Sequence, residues 1–159
     1  MGTLNYFLNI GTNIGDRMAN VDHAVALIER SFGCAVRRSS PFYSAPWGFV
    51  SPNRFVNVGL LLPTAETPEN TLRMLHAVEE SMGSASHRNA DGSYADRIID
   101  IDIIAIDDLV ISSESLVVPH PRMAERDFVL APMAEIAPRW RHPLTGLTAA
   151  EMLAALAAR

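Results

Sequence analysis

The segment over residues 98–104 constrains the fold of this chain more than any other. Aspartate and isoleucine alternate there, and successive side chains of a strand point to opposite faces of its sheet. Asp100 and Asp102 therefore share one face, with Cα atoms about 6.5 Å apart at a rise of about 3.3 Å per residue. Ile99, Ile101 and Ile103 point the other way. We predict a strand that buries its isoleucines in a core and carries two carboxylates on its other face.

Apolar periodicity and turn residues predict the other secondary-structure elements. A strand over residues 4–10 ends at a turn with two glycines, and apolar residues at helical spacing follow over residues 17–32. A second helix begins after the capping residue Thr67 and Pro68. The remaining elements are strands at 35–40 and 55–62, a strand or hairpin at 109–118, and helices at 127–136 and 149–158. The order strand, helix, strand, strand, helix, strand predicts an α+β fold, a ferredoxin-like split βαβ sheet with helices packed on it.

The size and charge of the chain exclude several classes of function. Its 159 residues, 48% of them hydrophobic, suit a single domain over residues 1–159. A net charge of −5 would repel a polyanion and does not indicate nucleic-acid binding, so any phosphate must bind at a local site. The sequence has neither a signal peptide pattern nor a stretch near the roughly 20 apolar residues of a membrane span. Cys34 is the only cysteine and cannot form an internal disulfide. We expect a cytoplasmic protein.

Two carboxylates on one strand face favour a metal site. Carboxylates placed like Asp100 and Asp102 can hold a pair of hard cations about 3.5–4 Å apart. The alternative is a solvent-facing strand that happens to carry two aspartates. That alternative is disfavoured because aspartate is depleted in strands, and like charges on one face repel each other unless a cation or a basic group lies between them.

Other polar side chains that could bind a nucleotide occur on the second helix and after the hairpin. Glu79 and His76 follow Leu72 by seven and four residues, so helical periodicity directs both towards the sheet. Exposure at the edge of the apolar stripe is the alternative for each of them. Arg126 offers a planar fork of donors suited to phosphate, whereas His120, beside a proline, is weak evidence alone.

The segment over residues 43–52 contains two prolines and a glycine, which exclude regular structure there. Aromatic residues and an amide lie in and after this segment. Trp47, Phe55 and Asn57 could form a slot for a flat heterocycle. Packing in the core is the alternative for Phe55.

Together these segments resemble the 2-amino-4-hydroxy-6-hydroxymethyldihydropteridine pyrophosphokinase family of folate synthesis. The resemblance runs from residues 10–13 through Asn57 to residues 118–120. Its most specific element is residues 97–104, which resemble the family's signature of an arginine, two intervening residues, Asp-x-Asp and aliphatics. The resemblance implies magnesium-dependent transfer of diphosphate from ATP to 6-hydroxymethyl-7,8-dihydropterin, with AMP as the second product.

The resemblance also implies a role for each matching side chain. Asp100 and Asp102 would bind two magnesium ions, while Arg97 and Arg126 would neutralise phosphate charge and so take part in catalysis. Expected contacts to ATP are Glu79, His76, Arg97, His120 and Arg126. Expected contacts to the pterin are Ser44, Ala45, Trp47, Phe55, Asn57 and Phe128. Asn57 would form hydrogen bonds with the pterin and Phe128 would stack on its ring.

The chain departs from the family in the segment before the signature arginine. Residues 84–93, predicted to form a mobile loop, contain only His87 and Arg88 where family members usually carry several basic residues. This departure leaves open a catalytically weak pterin-binding relative, and the aspartate pair leaves open another magnesium-dependent phosphoryl or nucleotidyl transfer enzyme. Expected partners are ATP and the pterin, without nucleic acid or membrane, and a monomer is compatible with the sequence.

Overall fold

The computed structural model describes residues 2–44, 54–83 and 98–159. Its strands are β1 Leu4–Thr12, β2 Arg37–Arg38, β3 Phe42–Ser44, β4 Phe55–Thr64, β5 Asp100–Ile106, β6 Ile111–Ser112 and β7 Val117–Val118. Its helices are α1 Arg17–Phe32, α2 Pro68–Ser81, α3 Asp127–Ile136 and α4 Ala149–Ala157, with a 3-10 turn at Met123–Glu125. In the described part of the chain no helix is long and apolar enough to cross a membrane.

The first five strands form one antiparallel sheet. β1 lies at its centre between β4 and β5, and β2 and β3 follow one another along the outer edge of β4. β6 and β7 form a separate hairpin. This strand order, with α1 after β1 and α2 after β4, confirms the predicted α+β, ferredoxin-like arrangement.

Helix starts and ends follow the capping chemistry in the sequence. The side chain of Asp16 accepts a hydrogen bond from the backbone of Ala19 at the start of α1, and Gly33 ends that helix in the left-handed conformation. Thr67 caps α2 in the same way, with proline at its first position. Because these signals are local, the predicted start of each helix agrees with the structure.

The sheet buries apolar side chains on both faces. On its first face, side chains such as Tyr6, Leu8 and Ile10 of β1 lie in a core with residues of α1 and α2. On its second face, Phe7 packs with residues of β5, α3 and α4. One end of this second face carries polar residues, including Asn9, instead of apolar ones. The polar end contains the candidate site.

The edge strand differs from its prediction over residues 35–40. Only Arg37 and Arg38 pair with β4 there, and pairing resumes at β3. Between them, the hydroxyl of Ser39 accepts the Gly59 N–H at 2.9 Å, and Pro41 has no N–H to donate. A side chain and a proline thus interrupt the ladder, and the predicted strand shortens to Arg37–Arg38. β3 begins beyond that prediction and continues to Ser44, so the expectation of no regular structure over residues 43–52 is wrong at its first two residues.

Candidate active site

Antiparallel pairing brings polar residues of three strands together on the second face. Two rows of partners cross the sheet here: Asn57, Gly11 and Asp100 in one, and Gly59, Asn9 and Asp102 in the next. Directly paired residues point to the same face. The structure therefore places both aspartates on one face, beside two amides and two glycines.

The two aspartates have the chemistry of a magnesium site that is shared with a substrate. Asp100 and Asp102 are half-buried, and the alternating Ile99, Ile101 and Ile103 are buried in the core of the first face. Magnesium is commonly held by one or two carboxylates and completes its shell with phosphate oxygens and water. The donor set thus fits the predicted ion when a polyphosphate is present.

Glu79 links α2 to the strand that carries the aspartates. One of its carboxylate oxygens, Oε2, accepts a hydrogen bond from the Ile101 N–H at 2.8 Å, and this N–H lies between Asp100 and Asp102 in the chain. β5 is an edge strand of the sheet, so the contact satisfies a backbone donor at this edge. Glu79 therefore holds β5 at the position of the two carboxylates.

His76 is exposed, which agrees with the alternative of a position at the edge of the apolar stripe and not with a side chain directed towards the sheet. The buried residues of α2 are Thr71, Leu75 and Val78, whereas Leu72 is half-buried. Each helical residue is rotated by about 100° from the one before it, which places His76 well away from this buried stripe. Its side chain is exposed.

A chain of hydrogen bonds passes through the side chain of Asn57, which is 4% exposed. Its Oδ1 accepts from the hydroxyl of Ser44 at 3.0 Å, and its Nδ2 donates to Oδ1 of Asn9 at 3.1 Å. Asn9 in turn donates from Nδ2 to the backbone carbonyl of Phe128 at 3.0 Å. The chain joins β3, β4, β1 and the start of α3.

Gly11 leaves the space in which Asn57 and Phe55 meet. A Cβ atom at Gly11 would lie 3.0 Å from Nδ2 of Asn57 and 3.4 Å from Cδ1 of Phe55. Phe55 is half-buried and pairs with Ser44 across the β3–β4 ladder. An amide, a hydroxyl and an aromatic ring are thus brought together at this end of the sheet.

The start of α3 brings Arg126 and Phe128 together. The guanidinium carbon of Arg126 lies 5.7 Å from the centre of the Phe128 ring, and both side chains are half-buried. This distance is within the range of a cation–π contact. A positive charge and an aromatic ring therefore stand next to one another beside the hydrogen-bond chain.

His120 is held as a neutral imidazole. Its backbone N–H donates to the Ile104 carbonyl at 2.8 Å, and its Nδ1 accepts from the Arg122 N–H at 3.1 Å. Burial first, then the charges of Arg126 and Arg122, lower the pKa of His120 to about 4. Because Nδ1 accepts, the proton of the neutral ring is on Nε2. His120 can therefore donate a hydrogen bond near Arg126 without adding charge.

Residues 7–138 match the sequence profile of 7,8-dihydro-6-hydroxymethylpterin-pyrophosphokinase (HPPK). The chain belongs to the HPPK family. This finding confirms the resemblance that the motifs indicated. The HPPK profile spans both rows of the polar face and continues through α3.

Curated relatives of the HPPK family match most of the chain. The 2-amino-4-hydroxy-6-hydroxymethyldihydropteridine pyrophosphokinase of Porphyromonas gingivalis is 36% identical over 138 residues, which cover 86% of this chain and 92% of that protein. The protein of the same name from Bacillus subtilis is 35% identical over 131 residues, covering 82% of this chain and 76% of that protein. Both matches cover more than four fifths of this chain.

Solved structures share the fold at low identity. A structure described as HPPK-DHPS in complex with substrates has a TM-score of 0.71 at 11% identity, covering 98% of this chain and 43% of that one. Wild-type HPPK-DHPS of Plasmodium falciparum has a TM-score of 0.71 at 13% identity, covering 99% of this chain and 42% of that one. This chain thus spans less than half the length of those proteins, and the similarity shows the fold.

The structure brings the predicted residues Ser44, Phe55 and Asn57 to the same end of the sheet as Asp100 and Asp102, and the roles of these residues stay predictions. Ala45, Trp47 and Arg97 lie outside the described residues, as do residues 84–93, so their predicted roles stay predictions. Asn9 was missed. The available signal was a polar residue inside an otherwise apolar strand, but its partners are 48 and 119 residues away.

Proposed function

We propose that this chain transfers a diphosphate group from ATP to the hydroxymethyl arm of 6-hydroxymethyl-7,8-dihydropterin, with AMP as the second product, in folate biosynthesis. The observation that carries the proposal is the row Asn57, Gly11 and Asp100 across three neighbouring strands. Strands lie about 4.8 Å apart, so an amide and a carboxylate stand about 10 Å apart on one face. A bicyclic pterin with a one-carbon arm can bridge such a span.

The pterin is proposed to lie between Asn57 and the ring of Phe128. Beyond its two hydrogen bonds within the protein, the amide of Asn57 keeps one N–H and one lone pair. It can therefore both donate to and accept from the edge of a heterocycle, while Phe128 offers a face for stacking. The residues proposed to complete the slot are Ser44, Ala45, Trp47 and Phe55.

ATP is proposed to bind on the side of Arg126 and His120. Arg126 neutralises phosphate charge, together with Arg97 of the signature, and His120 donates its Nε2–H as a neutral ring. Glu79 and the exposed His76 are further predicted contacts. Phosphoryl transfer depends on positioning and on charge neutralisation rather than on a side-chain nucleophile.

Asp100 and Asp102 are proposed to hold two magnesium ions. Bound there, the ions would neutralise phosphate charge and lower the pKa of the pterin hydroxyl. The protein's own contribution is to hold both carboxylates on one rigid strand, whose edge N–H is bonded to Glu79. We also propose a single catalytic domain over residues 1–159, because helices and sheet share cores on both faces. A cytoplasmic location is a further proposal.

The test identifies the nucleotide product. The protein is incubated with ATP, magnesium and 6-hydroxymethyl-7,8-dihydropterin, and AMP is the expected product. ADP would show transfer of a single phosphoryl group, and pterin binding without turnover would support the weak relative suggested by the poorly basic segment 84–93. Asp102→Asn should lose most turnover while keeping the fold. Asp108→Asn, an exposed change in the turn after the same strand, is the matched control and should keep normal turnover.

A further inference from the structure

Asn9 is a buried amide to which neither the family resemblance nor the proposed chemistry assigns a role. It lies between the core residues Leu8 and Ile10, and its side chain points to the second face, in register with Asp102. The side chain is only 4% exposed. Burying an amide is unfavourable unless its donors and acceptors are paired. Its position in the centre of the sheet therefore depends on the two hydrogen bonds that it forms.

These bonds determine which way two amides point. The carbonyl of Phe128 can only accept, so Asn9 must present Nδ2 to it, which leaves Oδ1 facing Asn57. Oδ1 can also only accept, so Asn57 must present its own Nδ2 to Asn9 and direct its Oδ1 to the hydroxyl of Ser44. The two ends of an amide have nearly the same shape, so the hydrogen-bond partners decide its orientation.

Flipping the side-chain amide of Asn57 would exchange the positions of its N–H donor and its oxygen acceptor. In that orientation its oxygen would face the oxygen of Asn9, and two acceptors would be opposed inside a buried site. A heterocycle bound at Asn57 would then meet an N–H where it now meets a lone pair. The orientation of this amide is thus a property that a ligand with a fixed donor and acceptor pattern detects.

We propose that Asn9 is a positioning residue for pterin recognition. It fixes the orientation of the Asn57 amide and links that amide to the backbone of Phe128. The hydrogen-bonding amide and the stacking ring are thereby held at a fixed position relative to each other. This proposal rests on the proposed function, since it takes Asn57 and Phe128 as the pterin contacts. Asn9 acts through these two residues and does not itself touch the ligand in this proposal.

The test compares two replacements of Asn9 with a matched change on the same strand. Asn9→Ala removes both hydrogen bonds, and Asn9→Leu removes them while filling the space with a branched side chain of the same number of heavy atoms. Asn5 lies four residues earlier on the same face, where its exposed amide donates to Asp107 at 3.1 Å, so Asn5→Ala removes an asparagine side-chain hydrogen bond of the same strand far from the site. Calorimetry gives the Kd of the pterin and, separately, of ATP with magnesium.

We expect Asn9→Ala and Asn9→Leu each to weaken pterin binding about 10-fold, as for the loss of one buried hydrogen bond. ATP binding should change less than about twofold, and Asn5→Ala should leave both affinities unchanged. If the loss with alanine came only from a cavity, leucine would restore affinity. Restoration by leucine would therefore overturn the proposal.

A double-mutant cycle separates positioning from a general structural effect. In an Asn57→Ala background, Asn9→Ala should cause little further loss of pterin affinity, because the amide that it orients is gone. Full additivity would overturn the proposal. If Asn57→Ala weakens pterin binding and folded Asn9→Ala does not, this inference fails while the proposed function stands. If Asn57→Ala also binds normally, the proposed pterin site is what fails.

Discussion

Gly11→Ala is the substitution that tests the geometry of the pterin slot most sharply. The new Cβ would lie 3.0 Å from Nδ2 of Asn57, closer than ordinary van der Waals contact, and 3.4 Å from a ring carbon of Phe55. Gly11 is not one of the glycines with positive φ, so the backbone itself accepts alanine. The effect should therefore come from the contact with Asn57.

The size of the effect follows from the distances. Carbon and nitrogen pack comfortably at about 3.5 Å, so the amide nitrogen of Asn57 must move by about 0.5 Å. Its hydrogen bond to Asn9 is 3.1 Å long, and an equal lengthening brings it beyond ordinary hydrogen-bond distance. A lost hydrogen bond of this kind costs about 0.5–1.5 kcal/mol, or roughly 2- to 13-fold in affinity. We expect pterin affinity to fall within this range.

The assay measures pterin Kd and thermal stability for Gly11→Ala and, as a contrast, for Gly59→Ala. A Cβ at Gly59 would lie 2.9 Å from the Phe7 ring and 3.0 Å from Pro132, so that variant should lose about 1–3 kcal/mol of stability by overpacking. Gly11→Ala should weaken pterin binding more than ATP binding and destabilise the fold less. Unchanged pterin affinity in a folded Gly11→Ala variant would refute the role of Asn57.

Further substitutions test the remaining contacts. Asn57→Ala should weaken pterin binding by about 1–3 kcal/mol, measured by calorimetry, because pterin polar groups would stay unpaired. Arg126→Ala and Arg97→Ala should each lower kcat/KM for ATP more than Arg88→Ala does, and Arg88→Ala as the most damaged variant would contradict this. The pKa of His120 is lowered to about 4 from 6.5, so the unfolded state takes up a proton first as pH falls. Wild type should therefore lose stability relative to His120→Gln between about pH 6.5 and 4, and parallel plots of Tm against pH would contradict this.

The aspartate pair shows what the sequence could predict. A period of two is a geometric property of a strand, so alternation alone placed Asp100 and Asp102 on one face, and the pairing of β5 with β1 confirms it. The starts of α1 and α2 were equally predictable from the sequence, because the side chains of Asp16 and Thr67 cap residues three positions away. These two predictions depend on short-range geometry and chemistry, and the structure confirms both.

Predictions that depend on distant partners were less successful. The rotation of α2 about its axis was judged from Leu72, but the polar Thr71 takes the buried position instead, and His76 is exposed as a result. A periodic stripe does not show which of its edges a neighbouring element will cover. Asn9 was missed for the same reason, since both its partners come from remote parts of the chain.

The structure separates the residues that hold the fold from those proposed to bind substrates. Even-numbered positions of β1, such as Leu8 and Ile10, are buried with α1 and α2, whereas Asn9 and Gly11 face the other side of the sheet. Phe7, also on that second side, packs with α3 and α4. From the start of β1 to Phe7, apolar side chains therefore pack on both faces of the sheet. From Leu8 to the end of β1, they pack on the first face only. Because the first-face core is complete without the polar rows, substitutions at Gly11 should affect ligand affinity before they affect folding.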